Sequence, residues 1–276
     1  MHENKNYISA LTIAGSDSCG GAGIQADIKT LSALGCYACS VVTAVTVQNT
    51  LGVQDVLTVP ADMVAKQLRA VLDDIRPMAV KSGMLDNELT IAAIADTLID
   101  YPPMPFVVDP VMVSTSGRPL MTKKAVSALV ERLLPLATLL TPNLPEAETL
   151  SCMTISTDTD LRLAARRILD MGCQAVLIKG GHCDTTEKTD WLFTKDGASI
   201  PYRSISIDTV NSHGTGCTLS AAITAGLARG LTLTEAVSLG KRYISQALMA
   251  GKDIAIGHGH GPVNHFFNPQ KLIIQS

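Results

Sequence analysis

The chain has 276 residues, 46% of them hydrophobic, which suits one α/β domain whose core needs neither disulfides nor a structural metal. Its formal net charge of −3 argues against a nucleic-acid partner, because phosphate backbones select strongly basic protein faces. Its longest apolar stretches, at 41–47 and 219–228, are shorter than the roughly 18 residues of a membrane-spanning helix, so no membrane partner is expected.

Strand and helix patterns alternate from the start of the chain. Residues 8–14 are predicted to form a buried strand, and Gly15 to begin a glycine-rich loop. Apolar residues three and four apart then predict a helix over 24–34, which ends at Gly35. The β-branched run 41–47 is typical of a strand that is covered on both faces.

The same alternation continues to the end of the chain. Further helices are predicted at 61–75, 87–100, 122–134, 158–171, 216–229 and 233–250. Further strands are predicted at 78–82, 105–109, 137–141 and 175–179, with a local β excursion at 190–207. This order predicts an α/β fold with a mostly parallel central sheet, helices on both faces and a single domain over 1–276.

Polar and glycine residues follow several of the predicted strands. In open parallel sheets, ligands bind beyond the carboxyl ends of the strands, so these segments are candidates for a site. They are Gly15–Asp17, Gln48–Asn49, Lys81–Met84, Asp109–Pro110, Asn143 and Lys179–Gly181. Since every strand must end in a turn, a purely structural role explains part of this pattern.

The segment Asn211–Thr218 opens an apolar helix and contains Gly214 and Gly216. Two glycines let the backbone approach a ligand, and the free N–H groups of a helix start bind anions, as phosphoryl transfer requires. An ordinary glycine turn is an equally good interpretation from spacing alone. The sequence has no G-x-x-x-x-G-K-[ST] motif, which argues against a P-loop NTPase, and 15–23 does not match the dinucleotide pattern G-x-G-x-x-G.

Asp109, Asn143 and Glu146 supply side-chain oxygens from separate strand ends. Mg²⁺ takes oxygen ligands, keeps several waters and bridges substrate phosphates, so a loose set of this kind fits it. Asn143 also has a structural interpretation as the cap of a short helix that Pro145 begins. The spacing leaves both interpretations open.

The seven cysteines indicate a compartment rather than a site. Their odd number, together with residues 1–6 that lack an apolar signal-peptide core, predicts a protein of the reducing cytoplasm. Cys36 and Cys39 form a C-x-x-C, but no second pair completes a zinc site. The histidines of 258–265 have too few other ligands near them for a metal site, and a loop role is expected.

Taken together, the segments resemble the hydroxymethylpyrimidine/phosphomethylpyrimidine kinases of the ribokinase superfamily. The matching stretches lie in order along almost the whole chain: Ala10–Asp17, Gly20–Asp27, Gln48–Thr50, Gly83–Leu85, Thr141–Ala147, Lys179–His182, His213–Ser220, Gly257–Gly259 and Gly261–Val263. The resemblance implies a ribokinase-like fold and ATP-dependent phosphorylation of 4-amino-5-hydroxymethyl-2-methylpyrimidine, then of its monophosphate, for thiamine diphosphate biosynthesis. It also implies ATP and Mg²⁺ as cofactors and, because dimers are frequent among similar proteins, a homodimer.

The resemblance also implies the residues of the site. It places the pyrimidine at Gly15, Ala22, Gln48, Met84 and Val111. It places ATP and the metal near Asp109, Asn143, Glu146, Lys179 and Thr215, with Asp109 and Glu146 as metal ligands. It assigns catalysis to Lys179 and to the anion hole of Gly214, Gly216 and Cys217. The amide of Gln48 offers a donor and an acceptor, which complements a ring nitrogen beside an exocyclic amine.

Cys217 marks a departure from the wider superfamily, whose sugar kinases carry an Asp base at this position. The pyrimidine kinases share the cysteine, and a helix N-terminus can lower a thiol pKa toward neutrality, which predicts a thiolate base. His213 and Asp109 remain alternatives for the base.

Two other functions stay open at this point. One is a pyridoxal or pyridoxine kinase on the same fold. The other is a non-catalytic nucleotide-binding protein, against which the intact set of Asp109, Glu146, Lys179 and Cys217 argues.

Overall fold

A nine-stranded sheet organises the fold in the computed structural model, which describes residues 5–114, 117–183 and 186–275. The strands of this sheet are β2 (Ser9–Asp17), β3 (Tyr37–Asn49), β4 (Gly52–Thr58), β5 (Ala79–Ser82), β6 (Phe106–Val108), β7 (Leu139–Leu140), β8 (Ala175–Cys183), β9 (Glu187–Thr194) and β10 (Ser199–Ile205). A separate antiparallel pair joins β1 (Asn6–Tyr7) to β11 (Ile274–Gln275).

Eight α-helices connect the strands in the described part of the chain. They are α1 (Gly23–Ala33), α2 (Ala61–Asp74), α3 (Glu88–Ile99), α4 (Lys123–Ala128), α5 (Leu144–Ser151), α6 (Asp158–Asp170), α7 (Thr215–Ala228) and α8 (Leu233–Gly251). A short π-helix (Leu129–Leu133) and a short 3-10 helix (Leu134–Leu136) follow α4 directly. Where the structure is described, it holds no helix with the length and apolarity that crossing a bilayer requires.

The sheet order is β10-β9-β8-β7-β6-β5-β2-β3-β4. The six central strands, β8, β7, β6, β5, β2 and β3, pair in parallel. β4 at one edge, and β9 with β10 at the other, pair antiparallel with their neighbours. The predicted α/β architecture with a mostly parallel sheet is therefore confirmed, and the excursion at 190–207 is the β9–β10 hairpin with its antiparallel register.

The core consists of two layers, one on each face of the sheet. Leu11 and Ile13 of β2 belong to the layer that α2 and α3 cover with residues such as Leu68 and Ile91. The neighbouring Ala10 belongs to the opposite layer, which α1, α7 and α8 cover. Side chains alternate across a strand, so a fully buried strand such as β2 supplies both layers at once.

Two predicted strands extend further than their sequence patterns indicate. β2 continues through Gly15–Asp17, with a register shift between Ala14 and Ser16, so these residues do not begin a loop. β3 continues through Gln48 and Asn49 because β4, which the sequence pattern did not reveal, pairs with them. The side chain of Val47 in β3 is 54% exposed. The prediction that the strand at 41–47 is covered on both faces is therefore wrong for the end of this segment.

A segment near the end of the chain, 257–262, packs over the hairpin between β3 and β4. The backbone N–H groups of His258 and Gly259 donate to Thr50 Oγ1, and that of His260 donates to Thr50 O at 2.9 Å. Gly261, in the same segment, contacts the loop before α7, because the backbone N–H of His213 donates to Gly261 O at 3.1 Å. The segment thereby joins the β3–β4 hairpin to the loop before α7.

Candidate active site

One cavity of about 780 Å³ opens at the carboxyl ends of the parallel strands, where the sequence predicts ligand binding. All residues predicted for substrate, nucleotide, metal and catalysis line it. They are Gly15, Ala22, Gln48, Met84, Asp109, Val111, Asn143, Glu146, Lys179, Gly214, Thr215, Gly216 and Cys217. Residues up to about 200 positions apart in the chain therefore meet at one edge of the sheet.

Gly214 forms the N-cap of α7 in a left-handed conformation, with φ of 80°. A Cβ at this position would lie 1.8 Å from Gly21 O, so the loop before α1 and the start of α7 can approach only through glycine. The first-turn N–H groups of a helix have no intrahelical carbonyl partner. Those of Gly216 and Cys217 are therefore available to an anion in the cavity.

Asp109 and Lys179 form an ion pair beside this turn. Lys179 Nζ lies 3.2 Å from Asp109 Oδ1, and a Cβ on Gly216 would lie 3.6 Å from both side chains. Thr141 Oγ1 donates to the same carboxylate at 3.1 Å, and Ser220 Oγ at 3.2 Å. Burial alone would raise the pKa of Asp109, but the nearby lysines outweigh it and hold the pKa below its usual value.

Glu146 and Asn143 form a capping box at the start of α5. Asn143 Oδ1 accepts from Glu146 N at 2.9 Å, and Glu146 Oε2 accepts from Asn143 N at 2.8 Å. The capping interpretation of Asn143 is therefore confirmed. Burial raises the pKa of Glu146, against the effect of Lys179.

The two carboxylates nonetheless fit Mg²⁺. Within the described residues, Glu146 Oε1 has one long contact, 3.4 Å from Met112 N, and Asp109 Oδ2 has one contact, 3.2 Å from Ser220 Oγ. A carboxylate oxygen has two lone pairs, so each of these oxygens can accept from a further donor or bind a cation. Because Mg²⁺ retains several waters, partly occupied carboxylates can hold it through them.

Cys217 does not have the lowered pKa that its helix position predicts. The residue is half-buried at the cavity, and the protein packed around its thiol desolvates the anion and raises the pKa to about 11. Lys81 favours the thiolate, whereas Asp27 and Asp109 disfavour it. The expectation of a thiolate at neutral pH is therefore wrong for the ligand-free protein, because desolvation outweighs the helix N-terminus.

A second ion pair lies beneath the cavity and was missed by the sequence analysis. Lys81 Nζ lies 2.8 Å from Asp27 Oδ1, and neither side chain is exposed. Burial would lower the pKa of Lys81, but Asp27 outweighs it, and the pKa is raised. Lys81 follows an apolar run within β5, and no local pattern connects it to a carboxylate 54 residues away.

Asp17, Cys19 and His213 lie close enough together to hold a metal ion. However, Asp17 already accepts hydrogen bonds from the backbone N–H groups of Cys19, Gly21 and Ala22, at 2.8, 3.0 and 2.8 Å. The carboxylate therefore organises the loop before α1. Sequence reasoning had named His213 only as an alternative base.

Comparison with known proteins identifies the family. The model of the phosphomethylpyrimidine kinase family matches residues 17–264. The chain belongs to this family. A relative from Rhizobium meliloti, a hydroxymethylpyrimidine/phosphomethylpyrimidine kinase, is 52% identical over 93% of this chain and 96% of its own length.

Solved structures of kinases have the same fold. The phosphomethylpyrimidine kinase of Clostridium difficile is 46% identical with a TM-score of 0.77, covering 87% of this chain and 99% of its own. The pyridoxal kinase of Staphylococcus aureus, in complex with AMP-PCP and pyridoxal, is 36% identical with a TM-score of 0.85 and covers 95% of both chains. The ribokinase-like kinase fold implied by the sequence resemblance is thereby confirmed.

The far end of the cavity contains a lysine that sequence reasoning missed. Lys241 of α8 lies 2.7 Å from Asp190 Oδ2 of β9, and Ser204 of β10 lies 3.2 Å from the same ammonium group. All three residues line the cavity. Lys241 belongs to an amphipathic helix, in which a lysine is ordinarily a surface residue. The sequence pattern therefore did not indicate that Lys241 lines the cavity.

The residues expected to be structural lie outside the cavity. Cys36 and Cys39 are free and buried, and burial raises the pKa of each to about 11. His258 and His260 lie in the segment over Thr50, outside helices and strands. His265 is buried, with Nε2 3.1 Å from Thr218 Oγ1.

Proposed function

We propose that this kinase transfers the γ-phosphoryl group of ATP to 4-amino-5-hydroxymethyl-2-methylpyrimidine and then to its monophosphate, in thiamine diphosphate biosynthesis. The observation that carries the proposal is that Gln48 and the turn Gly214–Cys217 line the same cavity. A ring bound at Gln48 can thus present its hydroxymethyl group to a phosphate at the turn. The names of two relatives that are 52% and 47% identical to this chain support this substrate.

The residues of the cavity have distinct roles in this reaction. Gly15, Ala22, Met84 and Val111 surround the ring, and Gln48 hydrogen-bonds its edge. Lys179 stands as a point charge beside the transferring phosphoryl group, and the N–H groups at Gly214–Cys217 stabilise the charge that develops there. Catalysis consists mostly of this positioning and charge neutralisation.

ATP occupies the remaining part of the cavity, with Asn143 and Thr215 among its contacts. Ile205, Ile207, Ile244 and Leu248 give this part an apolar lining suited to a nucleobase. The pyridoxal kinase of similar fold was solved with AMP-PCP, which supports a nucleotide here. Asp109 and Glu146 would hold Mg²⁺, which neutralises phosphate charge when bound.

Cys217 is the proposed base for the alcohol. His213 Nε2 is already paired with Asp17 Oδ2 at 2.9 Å, and the lowered pKa of Asp109 makes that carboxylate a weak proton acceptor. The thiol borders the turn itself. With a pKa of about 11 it is a strong base that is seldom deprotonated at neutral pH.

Pyridoxal is the second candidate substrate, because the pyridoxal kinase of Staphylococcus aureus has the same fold. Its identity to this chain, 36%, is lower than the 52% of the pyrimidine kinase relative. The test is a mass-spectrometric assay with ATP and separate vitamin precursors. Two successive gains of one phosphoryl group on the hydroxymethylpyrimidine support the proposal, whereas a single gain on pyridoxal alone refutes it.

We further propose a cytoplasmic homodimer in which residues 1–276 form one domain. The six cysteines whose side chains are described are free, which supports a reducing compartment.

The surface proposed for the dimer lies at the edge strand β4. Leu57 of β4 and Val45 of the neighbouring β3 lie directly opposite each other and are 72% and 47% exposed. An apolar strand edge of this kind suits pairing with a second copy, and sedimentation of Leu57→Glu tests it.

A further inference from the structure

Lys179 and Gly180 form a β-bulge near the end of β8. The pairing of β8 with β9 shifts register after Ile178, so that these two residues together stand opposite one residue of β9, Asp190. Gly180 has a φ of 80°, a left-handed conformation that glycine adopts without steric cost. A bulge interrupts the ladder of backbone hydrogen bonds, so this segment depends on other partners to hold it.

The side chain of Asp190 is one of these partners. Its Oδ1 accepts a hydrogen bond from Gly180 N at 2.9 Å. On the opposite side of the strand, Lys179 N donates to Pro142 O at 2.8 Å, in the segment that follows β7. The backbone that carries Lys179 is thus held from both neighbouring strands, on one side by the main chain and on the other by the Asp190 carboxylate.

Lys241 of α8 holds the carboxylate in this position. Its ammonium group lies 2.7 Å from Asp190 Oδ2 and 3.2 Å from Ser204 Oγ. The side chains of Asp190 and Lys241 are only 7% and 12% exposed, so water competes little for these contacts. One oxygen of Asp190 therefore serves the ammonium group, and the other serves the backbone of the bulge.

The bulge determines where the Lys179 side chain begins. Lys179 Nζ lies 3.2 Å from Asp109 Oδ1, and a Cβ on Gly216 would lie 3.6 Å from the same nitrogen. Gly180 is the next residue in the chain, so a movement of its peptide displaces Lys179 as well. A displacement of about 1 Å in a site of this kind can cost on the order of 10²-fold in rate.

We propose that Asp190 is a positioning residue for Lys179. Through its hydrogen bond to Gly180 N it fixes the bulge, and so keeps the Lys179 ammonium group at the place where the phosphoryl group is transferred. The inference rests on the role that the proposed function gives to Lys179. Asp190 thus acts on the reaction through Lys179.

A single substitution of Asp190 would mix two effects. Burial lowers the pKa of Lys179, but Asp109 and weaker charges that include Asp190 outweigh it, and the pKa is raised. Loss of the Asp190 charge would therefore act on Lys179 through space, and it would leave Lys241 without its counter-charge. A test must separate the charge of Asp190 from its hydrogen bond to Gly180.

The test compares two double variants, Asp190→Asn/Lys241→Met and Asp190→Leu/Lys241→Met. Both lack the ion pair, and both lack the Lys241 ammonium group in the cavity. Only the asparagine can still accept a hydrogen bond from Gly180 N. Replacement of a buried ion pair by uncharged residues of similar size is often neutral for stability, so both variants are expected to fold.

The kcat of the Asp190→Leu/Lys241→Met protein should be about tenfold or more below that of Asp190→Asn/Lys241→Met, with the same KM for ATP in both. In a Lys179→Ala background the two double substitutions should give equal residual rates by single turnover, because the side chain that the bulge positions is gone. Equal kcat in the first pair would overturn the inference. So would a difference that persists without Lys179, which a merely structural role of Asp190 predicts.

Crystal structures of the two double variants give a readout that needs no substrate. Lys179 Nζ should remain beside Asp109 in the asparagine variant and be displaced in the leucine variant, and an identical position in both would contradict the inference. A wild-type protein that phosphorylates pyridoxal but not the hydroxymethylpyrimidine would refute the proposed function. The comparison of kcat would then be made with pyridoxal and would still test Asp190.

Discussion

Lys81 and Asp27 form an ion pair with an N–O distance of 2.8 Å and no exposed side-chain surface. Thr12 Oγ1 donates to the second oxygen of Asp27 at 2.6 Å, so the carboxylate is satisfied on both sides. The positive charge of Lys81 favours the thiolate of Cys217, which lies at the start of α7. The pair thus connects the stability of the sheet with the chemistry of the cavity.

Lys81→Met is expected to destabilise the protein by roughly 3–5 kcal/mol, because it leaves a buried carboxylate without its counter-charge. Urea unfolding measures this loss. The double variant Lys81→Met/Asp27→Asn removes both charges and keeps the hydrogen bond to Thr12, so it should be more stable than the single variant. Equal stability of the two variants would contradict the argument.

Gln48→Leu keeps the volume of the side chain but removes its donor and acceptor. Binding of the hydroxymethylpyrimidine should weaken by roughly 1–3 kcal/mol, while binding of AMP-PCP should remain unchanged. Calorimetric titration of each ligand separates the two effects. A loss shared equally by both ligands, or no loss, would show that Gln48 does not recognise the pyrimidine.

Glu146→Gln removes a charge that the proposed metal site uses. Turnover should fall at millimolar Mg²⁺ and recover in part at high Mg²⁺, with an unchanged circular dichroism spectrum. Glu148→Gln is the matched control, because Glu148 lies on the same helix but does not line the cavity. A Glu146→Gln protein that is unstable and not rescued by Mg²⁺ would assign the residue to the capping box alone.

Cys217→Ala should slow phosphorylation of the alcohol by roughly 10²–10⁴-fold, the usual cost of losing a general base. Phosphorylation of the monophosphate should slow much less, because a phosphate with a second pKa near 6 is already largely dianionic. Single-turnover rates measure each step, and Cys173→Ala, a buried thiol outside the cavity, is the control. Equal slowing of both steps would assign Cys217 to packing or anion binding.

The pH profile tests the same base independently. Burial raises the pKa of Cys217 to about 11, so the thiolate fraction grows about tenfold per pH unit throughout the range below that value. The rate of the alcohol step should therefore rise between about pH 7 and pH 9 in the wild type and stay flat in Cys217→Ala. A flat wild-type profile would count against a thiolate base.

Much of the fold follows from local sequence patterns. The helices α2, α3 and α6 begin and end within one residue of their predicted bounds, because their apolar residues recur at helical spacing. β4 was not predicted because few of its side chains are buried and its pairing with β3 defines it. Such an edge strand leaves a weak local pattern.

The residues of the site can be divided in the same way, into those that a local sequence pattern predicts and those that it does not. Asp109 and Lys179 follow strands that the sequence shows, so their meeting at one sheet edge was predictable. The Lys81–Asp27 and Lys241–Asp190 pairs join residues 54 and 51 positions apart, and neither has a local signature. The raised pKa of Cys217 depends on how closely the protein packs around the thiol, which a helix-start motif does not encode.

The segment 257–262 is synthesised late, so its contacts with the rest of the protein form after most of the sheet can fold. Most strands and helices lie before residue 252, so a nascent chain can fold its sheet while the ribosome still holds the later residues. The hydrogen bonds of Thr50 with His258, Gly259 and His260, and the bond from His213 N to Gly261 O, can form only when these late residues emerge. A chain interrupted at residue 256 would keep the nucleotide end of the cavity and lose the support of the pyrimidine end.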